Sequence, residues 1–505
     1  MAKRPNILLV VSDQMVAALT GAYGHPVVRT PHLDRLAEEG VRFDSAYTPF
    51  PLCAPGRACL MSGRHASQIG AWDNGSPLGC DHPTFATWCA AAGYDTVLSG
   101  KMHFIGAEQR HGFRRRLTTD IYSPDFSWVR EEWIRIKENR GADPEEVMAQ
   151  RQTYNAAHYV GEGIEVGRWH NALSYDEETH FRAVEYLRAR GQSKEEEPFL
   201  LVASYHHPHE PFWPPQQYWD LYDRAEIEVA GFPEGFEAGR SQMDRCLNAY
   251  HGVGRFDLRR RESMERVRRA YYGVTTYMDD KLGGLLDTLD ETGLADDTVV
   301  LFTSDHGDML CEREMVQKRC FYEWSCRVPL VVRFPGGWRA GSAVRTPVSL
   351  LDLLPTFAEI AGIRDLLPHD GGSLLPVIEG EDGGRCVFAQ AHEAVGMPCI
   401  MMREGSYKYS YIHGYEPQLF DLQADPGEWN NLAADPDHAD VARRMEGAIL
   451  GRFDPAAMER ENLESLYRRR LIRDVMRERG QTWRHFPRYD YRRGAMDQYL
   501  GEETP

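Results

Sequence analysis

Apolar residues fall into two patterns along the chain. Short, mostly apolar runs at Asn6–Val11, Phe199–Tyr205, Thr298–Thr303 and Val328–Phe334 read as strands buried on both faces. Between them apolar positions recur at helical spacing, predicting helices at about Pro31–Glu39, Asp176–Arg190, Glu262–Leu289 and Leu351–Ala361. The first carries its own signals: Thr30 as N-cap, Pro31 at the first helical position and Gly40 just past the end. Strands buried on both faces need cover on each side. The expected fold class is therefore α/β, a large and mostly parallel sheet sandwiched by helices.

The rhythm changes after about Gly380. Short strand candidates at Cys386–Gln390, Cys399–Arg403, Tyr407–Tyr411 and near Leu419–Leu422 precede a helix from about Ala439, which predicts a smaller α+β unit with an antiparallel sheet. The expected division is 1–380 as the main domain, 381–460 as the C-terminal α+β subdomain, and 461–505 as an Arg-rich arm carrying Trp483, Phe486 and Tyr489.

Composition narrows the class. The chain has 505 residues, 42% hydrophobic and 27% charged, which suits a large globular core and excludes a disordered or collagen-like chain. Acidic residues (76) outnumber Lys and Arg (58), for a net charge of −18, so nucleic acid is not an expected partner and any anion site must be locally basic. The N-terminal apolar run stops at Ser12-Asp13, too short for a membrane span or a secretory signal, so no membrane association is expected. The ten cysteines show no zinc spacing and read as reduced thiols in a cytoplasmic protein.

Two strands end alike, one in Asp13-Gln14 and the other in Asp305-His306-Gly307-Asp308. Ligands bind beyond the carboxyl ends of parallel strands, so these acids can converge on a divalent cation, though each alone could equally cap a helix or close a turn. In Cys53-Ala54-Pro55-Gly56-Arg57, Pro55 suits the first turn of a helix. Cys53 then sits at a helix N-terminus, where anions are favoured, with Arg57 one turn on. A buried structural cysteine in a Pro-rich loop is the other reading of that segment.

Cys53–Arg57 resembles the Cys-x-Pro-x-Arg motif of type I sulfatases, members of the alkaline phosphatase superfamily whose cysteine is oxidised to formylglycine by a maturation enzyme. Further segments match in order. Gly100-Lys101-Met102-His103 resembles the family's Gly-Lys-x-His segment, and His207-Pro208-His209-Glu210-Pro211 its later histidine motif. Ser304–Asp308 resembles its second metal motif, with Lys318 downstream, and Leu419–Leu422 with Asp425–Glu428 its C-terminal motif. Within the family the segments His111–Phe113, Leu117–Tyr122 and Asp125–Trp128 are most similar to the choline sulfatases. Phosphonate monoester hydrolases are near relatives that lack Lys and His at the places of Lys101 and His103.

The resemblance implies that residues 1–380 form a catalytic, alkaline phosphatase-like domain that hydrolyses a small sulfate monoester, choline-O-sulfate or another alkyl or aryl sulfate. Asp13, Gln14, Asp305 and His306 would hold one divalent cation, Ca2+ or Mn2+, which also touches the hydrated formylglycine at position 53. Arg57 would favour ionisation of the attacking hydroxyl, Lys101 and Asn74 would contact sulfate oxygens, and His209 and Lys318 would serve the leaving oxygen. His103 would take the proton that lets the sulfated intermediate collapse by elimination. Trp128, near Tyr122, Phe126 and Trp133, would face a quaternary ammonium. Gln14 and His306 stand where many relatives carry Asp and Asn, which moves metal preference towards manganese, and Gly56 stands where Ser or Ala is usual. The Arg-rich tail suggests a homo-oligomer. Two alternatives stay open: a phosphonate monoester hydrolase or phosphodiesterase on the same scaffold, and an inactive sulfate-binding protein whose Cys53 stays a thiol.

Overall fold

Eight strands line up in the order Ser342–Val344, Val41–Phe43, Leu330–Arg333, Thr298–Ser304, Asn6–Asp13, Phe199–Pro208, Asp95–Gly100 and Arg115–Arg116. The computed structural model describes residues 4–479 apart from 140, 152–154, 195 and 382–383. Neighbouring strands run parallel except at Leu330–Arg333, which is antiparallel to both strands beside it. The run read as one strand, Val328–Phe334, divides at Pro329. Arg327–Val328 pairs instead with Ala46–Tyr47 in a small second sheet completed by Val348–Ser349. Proline has no N–H to donate, so the ladder breaks there.

Alternation along the central strands builds both cores. Ile7, Leu9, Val11, Leu200, Val202, Val299 and Leu301 pack against the helices Cys53–Ser62, Phe85–Ala91 and Leu353–Ile360. Leu8, Val10, Leu201, Ala203, Val300 and Phe302 pack against Pro31–Glu39, Asn171–Gln192 and Arg261–Glu291. Each fully buried Leu or Val is worth roughly 1.5–3 kcal/mol, so truncating Leu9 to Ala would cost about 2–5 kcal/mol. The expected α/β sandwich is what the chain forms.

The helix Pro31–Glu39 starts and stops where its signals place it, but Thr30 does not cap it through its side chain. The Thr30 hydroxyl instead donates to Asp34 at 3.0 Å. The N–H groups of His32 and Leu33 go to the carboxylate of Asp279, at 3.0 and 2.8 Å, on the long helix Arg261–Glu291.

Cys386–Ala391, Cys399–Glu404, Tyr407–Ile412 and Gln418–Asp421 form an antiparallel four-stranded sheet, backed by the helix Ala439–Arg452 through Ile400, Met402, Leu419, Met445 and Ile449. A further helix, Pro455–Arg479, takes in residues 461–479 of the expected arm; Trp483, Phe486 and Tyr489 lie outside the described residues. Its buried face mixes Met458 and Leu466 with Asn462, Ser465 and Arg469, so apolar periodicity does not reveal it. Among the described residues no helix is long and apolar enough to cross a membrane.

Candidate active site

Four parallel strands deliver their carboxyl ends to one place, as open α/β sheets do. Asp13 ends its strand, Asp305 follows Ser304, Lys101 follows Gly100, and His206, His207 and His209 lie at the end of Phe199–Pro208. Gly100 has φ of 104°, and a Cβ there would lie 1.8 Å from the Ser204 carbonyl oxygen, so only glycine lets the chain turn Lys101 inward. Cys53 is the first residue of the helix Cys53–Ser62. Gly56 also proves required, because a Cβ there would lie 2.7 Å from the Phe50 carbonyl oxygen.

Arg57 is fully buried and binds both acids. Its Nη2 donates to Asp13 Oδ2 at 2.9 Å and its Nε to Asp305 Oδ2 at 2.8 Å, while Nη1 donates to the Lys101 carbonyl and Ser204 Oγ at 2.6 and 2.7 Å. Lys101 Nζ lies 2.5 Å from Asp13 Oδ2. Two buried carboxylates are thus balanced by two buried cations. Burial alone would raise the Asp13 carboxyl, but Lys101 and the other cationic groups around it hold it well below the usual carboxylate range. Cys53 Sγ is 3.3 Å from His306 Nε2 and 3.9 Å from Asp13 Oδ1. Burial, helped by Asp13, pushes the Cys53 thiol up to about 11.

Ligand atoms of Asp13, Cys53, Asp305 and His306 all lie within 4.8 Å of one another. His306 Nδ1 donates to the Gly307 carbonyl at 3.0 Å, which leaves the Nε2 lone pair aimed into the cluster, the orientation a metal-binding histidine needs. Burial pushes the His306 imidazole down to about 4, so it is neutral and able to ligate. This donor set fits a divalent cation. Gln14, in a left-handed conformation with φ of 69°, lies beside the four. Its Nε2 donates to Glu210 Oε2 at 2.7 Å and to Asp308, and its Oε1 accepts from Lys318 Nζ.

Lys318 and His209 meet as a pair, Nζ donating to Nε2 at 2.9 Å, with His209 Nδ1 donating to the Glu210 carbonyl at 2.9 Å. Burial first and Lys318 second hold the His209 imidazole well below its ordinary value. His103 lies against Tyr122 and Trp128, ring centroids 4.7 and 5.7 Å away, and neither of its ring nitrogens has a hydrogen-bond partner. Burial pushes it down to about 3. Asn74 Oδ1 accepts from the Ala54 N–H at 3.0 Å, so this side chain caps the Cys53 helix.

Every site residue read from the sequence is thus brought into this region or its wall. Missing from that reading are the groups that hold the site residues in place. Asp120 accepts the N–H groups of Met102 and His103 at 2.9 and 2.6 Å, and Asp176 those of His206 and His207 at 2.7 and 2.9 Å. Glu210, Asp308 and Tyr159 surround Gln14, and Ser204 anchors Arg57. Asp120, Glu210 and Asp308 fall inside recognised segments; Asp176 carries no local signal.

The chain matches the family model described as sulfatase over residues 5–363, and the model for the C-terminal part of N-sulphoglucosamine sulphohydrolase over residues 311–452. It is 37% identical to a choline-sulfatase of Rhizobium meliloti (strain 1021), covering 96% of this chain and 94% of that protein. It is 28% identical to an arylsulfatase of Clostridium perfringens, covering 85% and 90%. Among solved structures it is similar to a phosphonate monoester hydrolase of Agrobacterium radiobacter, with a TM-score of 0.70 and 25% identity over 89% of this chain and 95% of that one. The family match spans most of a chain whose strand ends already gather a cysteine, two carboxylates, a histidine and two cations, and the chain belongs to the sulfatase family: it is a sulfuric ester hydrolase with an alkaline phosphatase-like fold.

Proposed function

We propose that the substrate is a small organic sulfate monoester, with choline-O-sulfate the leading candidate, and that Cys53 acts after conversion to formylglycine by a maturation enzyme. The observation that carries this reading is the setting of Cys53. It heads a helix whose Arg57 grips both Asp13 and Asp305, yet its thiol is held up at about 11 and is therefore protonated and poorly nucleophilic at neutral pH. A hydrated aldehyde at this position would supply a hydroxyl nucleophile and free the sulfate by elimination. Asp13, Asp305 and His306, with Gln14 beside them, would hold the divalent cation, and the nitrogen donor favours Mn2+ over Ca2+. When bound, such an ion lowers the pKa of an oxygen nucleophile and offsets charge on the sulfate.

The remaining roles follow from position and protonation. Lys101 would contact the sulfate oxygens and Arg57 would favour ionisation of the attacking hydroxyl; with a divalent cation on the two carboxylates, these buried cations would make the site locally basic although the overall charge is −18. The Lys318–His209 pair stands ready to stabilise and protonate the leaving oxygen, where sulfate esters build negative charge. His103 is neutral with unpartnered ring nitrogens, as a proton acceptor must be. Trp128 and Tyr122 beside it offer aromatic faces for a quaternary ammonium, and Asn74 would add an amide at the sulfate end. Phosphonate monoester hydrolysis is the second reading, supported by the likeness to the Agrobacterium radiobacter enzyme; the Lys101–His103 pair speaks for sulfate.

The test compares kcat/KM for an aryl sulfate and an aryl phosphonate monoester, using protein co-produced with a formylglycine-generating enzyme and assayed with Mn2+ and Ca2+ in turn. Sulfate preference that disappears in Cys53→Ala is the expected result. Phosphonate preference would mean that Lys101 and His103 do not have these roles. An intact cysteine in the position-53 peptide mass, with no turnover, would support the sulfate-binding alternative.

A further inference from the structure

Three consecutive arginines on the helix Pro455–Arg479 have different fates. The side chains of Arg468 and Arg470 are 69% and 34% exposed, whereas Arg469 is only 4% exposed. Its two terminal nitrogens grip the Asp73 carboxylate in parallel, Nη1 to Oδ1 at 2.6 Å and Nη2 to Oδ2 at 2.9 Å, and its Nε donates to Ser465 Oγ at 3.1 Å. All three donor positions of the guanidinium fork are therefore committed. A planar fork on a planar carboxylate fixes orientation as well as distance, which an ammonium group does not.

Asp73 belongs to a tightly closed turn. Its Oδ1 accepts the Gly75 N–H at 2.8 Å, and Ser76 Oγ accepts the N–H groups of Trp72 and Asp73 at 3.0 and 3.2 Å. Asn74 is the residue at the tip, and its Oδ1 takes the Ala54 N–H at 3.0 Å, one residue past Cys53. That N–H is among the donors a helix start leaves without an intrahelical partner, so Asn74 fixes the helix exactly where the reacting side chain projects. The other side of the turn is equally close-packed: a Cβ on Gly75 would lie 3.2 Å from Arg469 Nη1 and 3.3 Å from Trp128 Cβ. One turn further along the same helix, Arg473 Nη1 donates to the Val129 carbonyl at 2.8 Å. The C-terminal helix therefore holds both the Asn74 turn and the Trp128 segment.

We propose that Arg469 is a positioning residue for the sulfatase site: through Asp73 it sets Asn74 against the start of the Cys53 helix and spaces that turn from Trp128. The inference rests on the reading of Cys53 as the reacting position. An ion pair serving stability alone would need only the charge and the burial. A positioning role needs the fork, because a shift of about 1 Å at a reacting group can cost about 100-fold in rate.

The experiment uses the full chain, matured at position 53, as Arg469→Lys, Arg469→Met and Asp73→Asn, with the exposed Arg468→Met as control. Thermal midpoint, kcat and KM on an aryl sulfate, and hydrogen exchange of the peptide covering 53–62 are measured for each. Arg469→Lys is expected to stay folded, lose kcat/KM by ~10- to 100-fold chiefly in kcat, and exchange faster at the start of the Cys53 helix. Asp73→Asn should do the same and Arg468→Met neither. Should Arg469→Met fail to fold, Arg469→Lys and Asp73→Asn carry the decision. Wild-type exchange at 53–62 in both folded variants would overturn the proposal, as would kcat/KM within about twofold of wild type. The exchange readout needs no turnover, so a wild-type protein inactive on sulfates would sink the proposed function and leave this inference to be judged on exchange.

Discussion

Replacing Arg57 by Met tests the electrostatics of the site most directly. The side chain is fully buried, and removing its guanidinium leaves Asp13 and Asp305 facing each other, with the Lys101 ammonium beside Asp13 alone. Taking one partner out of a buried ion pair costs about 3–5 kcal/mol, because the other charge stays buried without compensation. Here a single deletion uncovers two carboxylates, so the upper end applies. The urea slope of a chain this long lies above the ~3 kcal/mol/M that tops the range for small proteins, so the unfolding midpoint in EDTA should fall by at most ~1.7 M. A divalent cation supplies charge to the same carboxylates, so Mn2+ should restore most of the lost midpoint in Arg57→Met and do less for wild type. Catalysis should not return with it. The same variant should stay down by ~10²–10³ in kcat/KM on an aryl sulfate, the usual loss for one missing charge-stabilising donor. The assay is urea unfolding followed by tryptophan fluorescence, with EDTA or Mn2+, beside steady-state kinetics. An unchanged midpoint in EDTA would refute the reasoning, since the carboxylates would then not depend on Arg57 for compensation. An equal gain in both proteins would show that the ion does not replace the charge that Arg57 supplies to these acids.

Lys318→Met and His209→Gln should each slow an alkyl sulfate more than an aryl sulfate, by an extra ~10²-fold, because a poor leaving group needs the proton most; equal losses on both substrates would remove the pair from the leaving-group role. Asp279 offers a test of stability against pH. Burial pushes its carboxyl up to about 7, even though the N–H groups of His32 and Leu33 bond it. The folded state thus holds the proton more tightly than the unfolded chain. The resulting stabilisation is full below about pH 4 and is lost as pH rises to about 7, a total of about 4 kcal/mol. Asp279→Asn should therefore gain stability relative to wild type between about pH 5 and about pH 8, read as a widening difference in urea midpoints; a flat difference rules the titration out.

The elements that depend on local pattern are legible in the chain itself. Ile7–Val11 and Val299–Phe302 are apolar at every step because both faces of the sheet are covered, and the acids just past these strands mark where ligands collect. The Cys53 helix is written in Pro55 and Arg57, and the four C-terminal strands in their short apolar runs. The tertiary structure decided what local pattern cannot encode. The reversed direction of Leu330–Arg333 depends on which neighbours it meets, and the cap of the helix Pro31–Glu39 comes from Asp279, far along the chain. Packing against the Phe50 carbonyl, invisible in sequence, makes Gly56 a requirement where a departure from family usage is all that the residues show. The same holds for the charges. Arg469 looks like its neighbours in an Arg-dense helix, and only the fold brings it to Asp73 across 396 residues and removes both from water. A residue's type and spacing fix its local conformation and what it can bond. Burial and partner, which set whether a charge is exposed and screened or buried and directing, are properties of the packed chain.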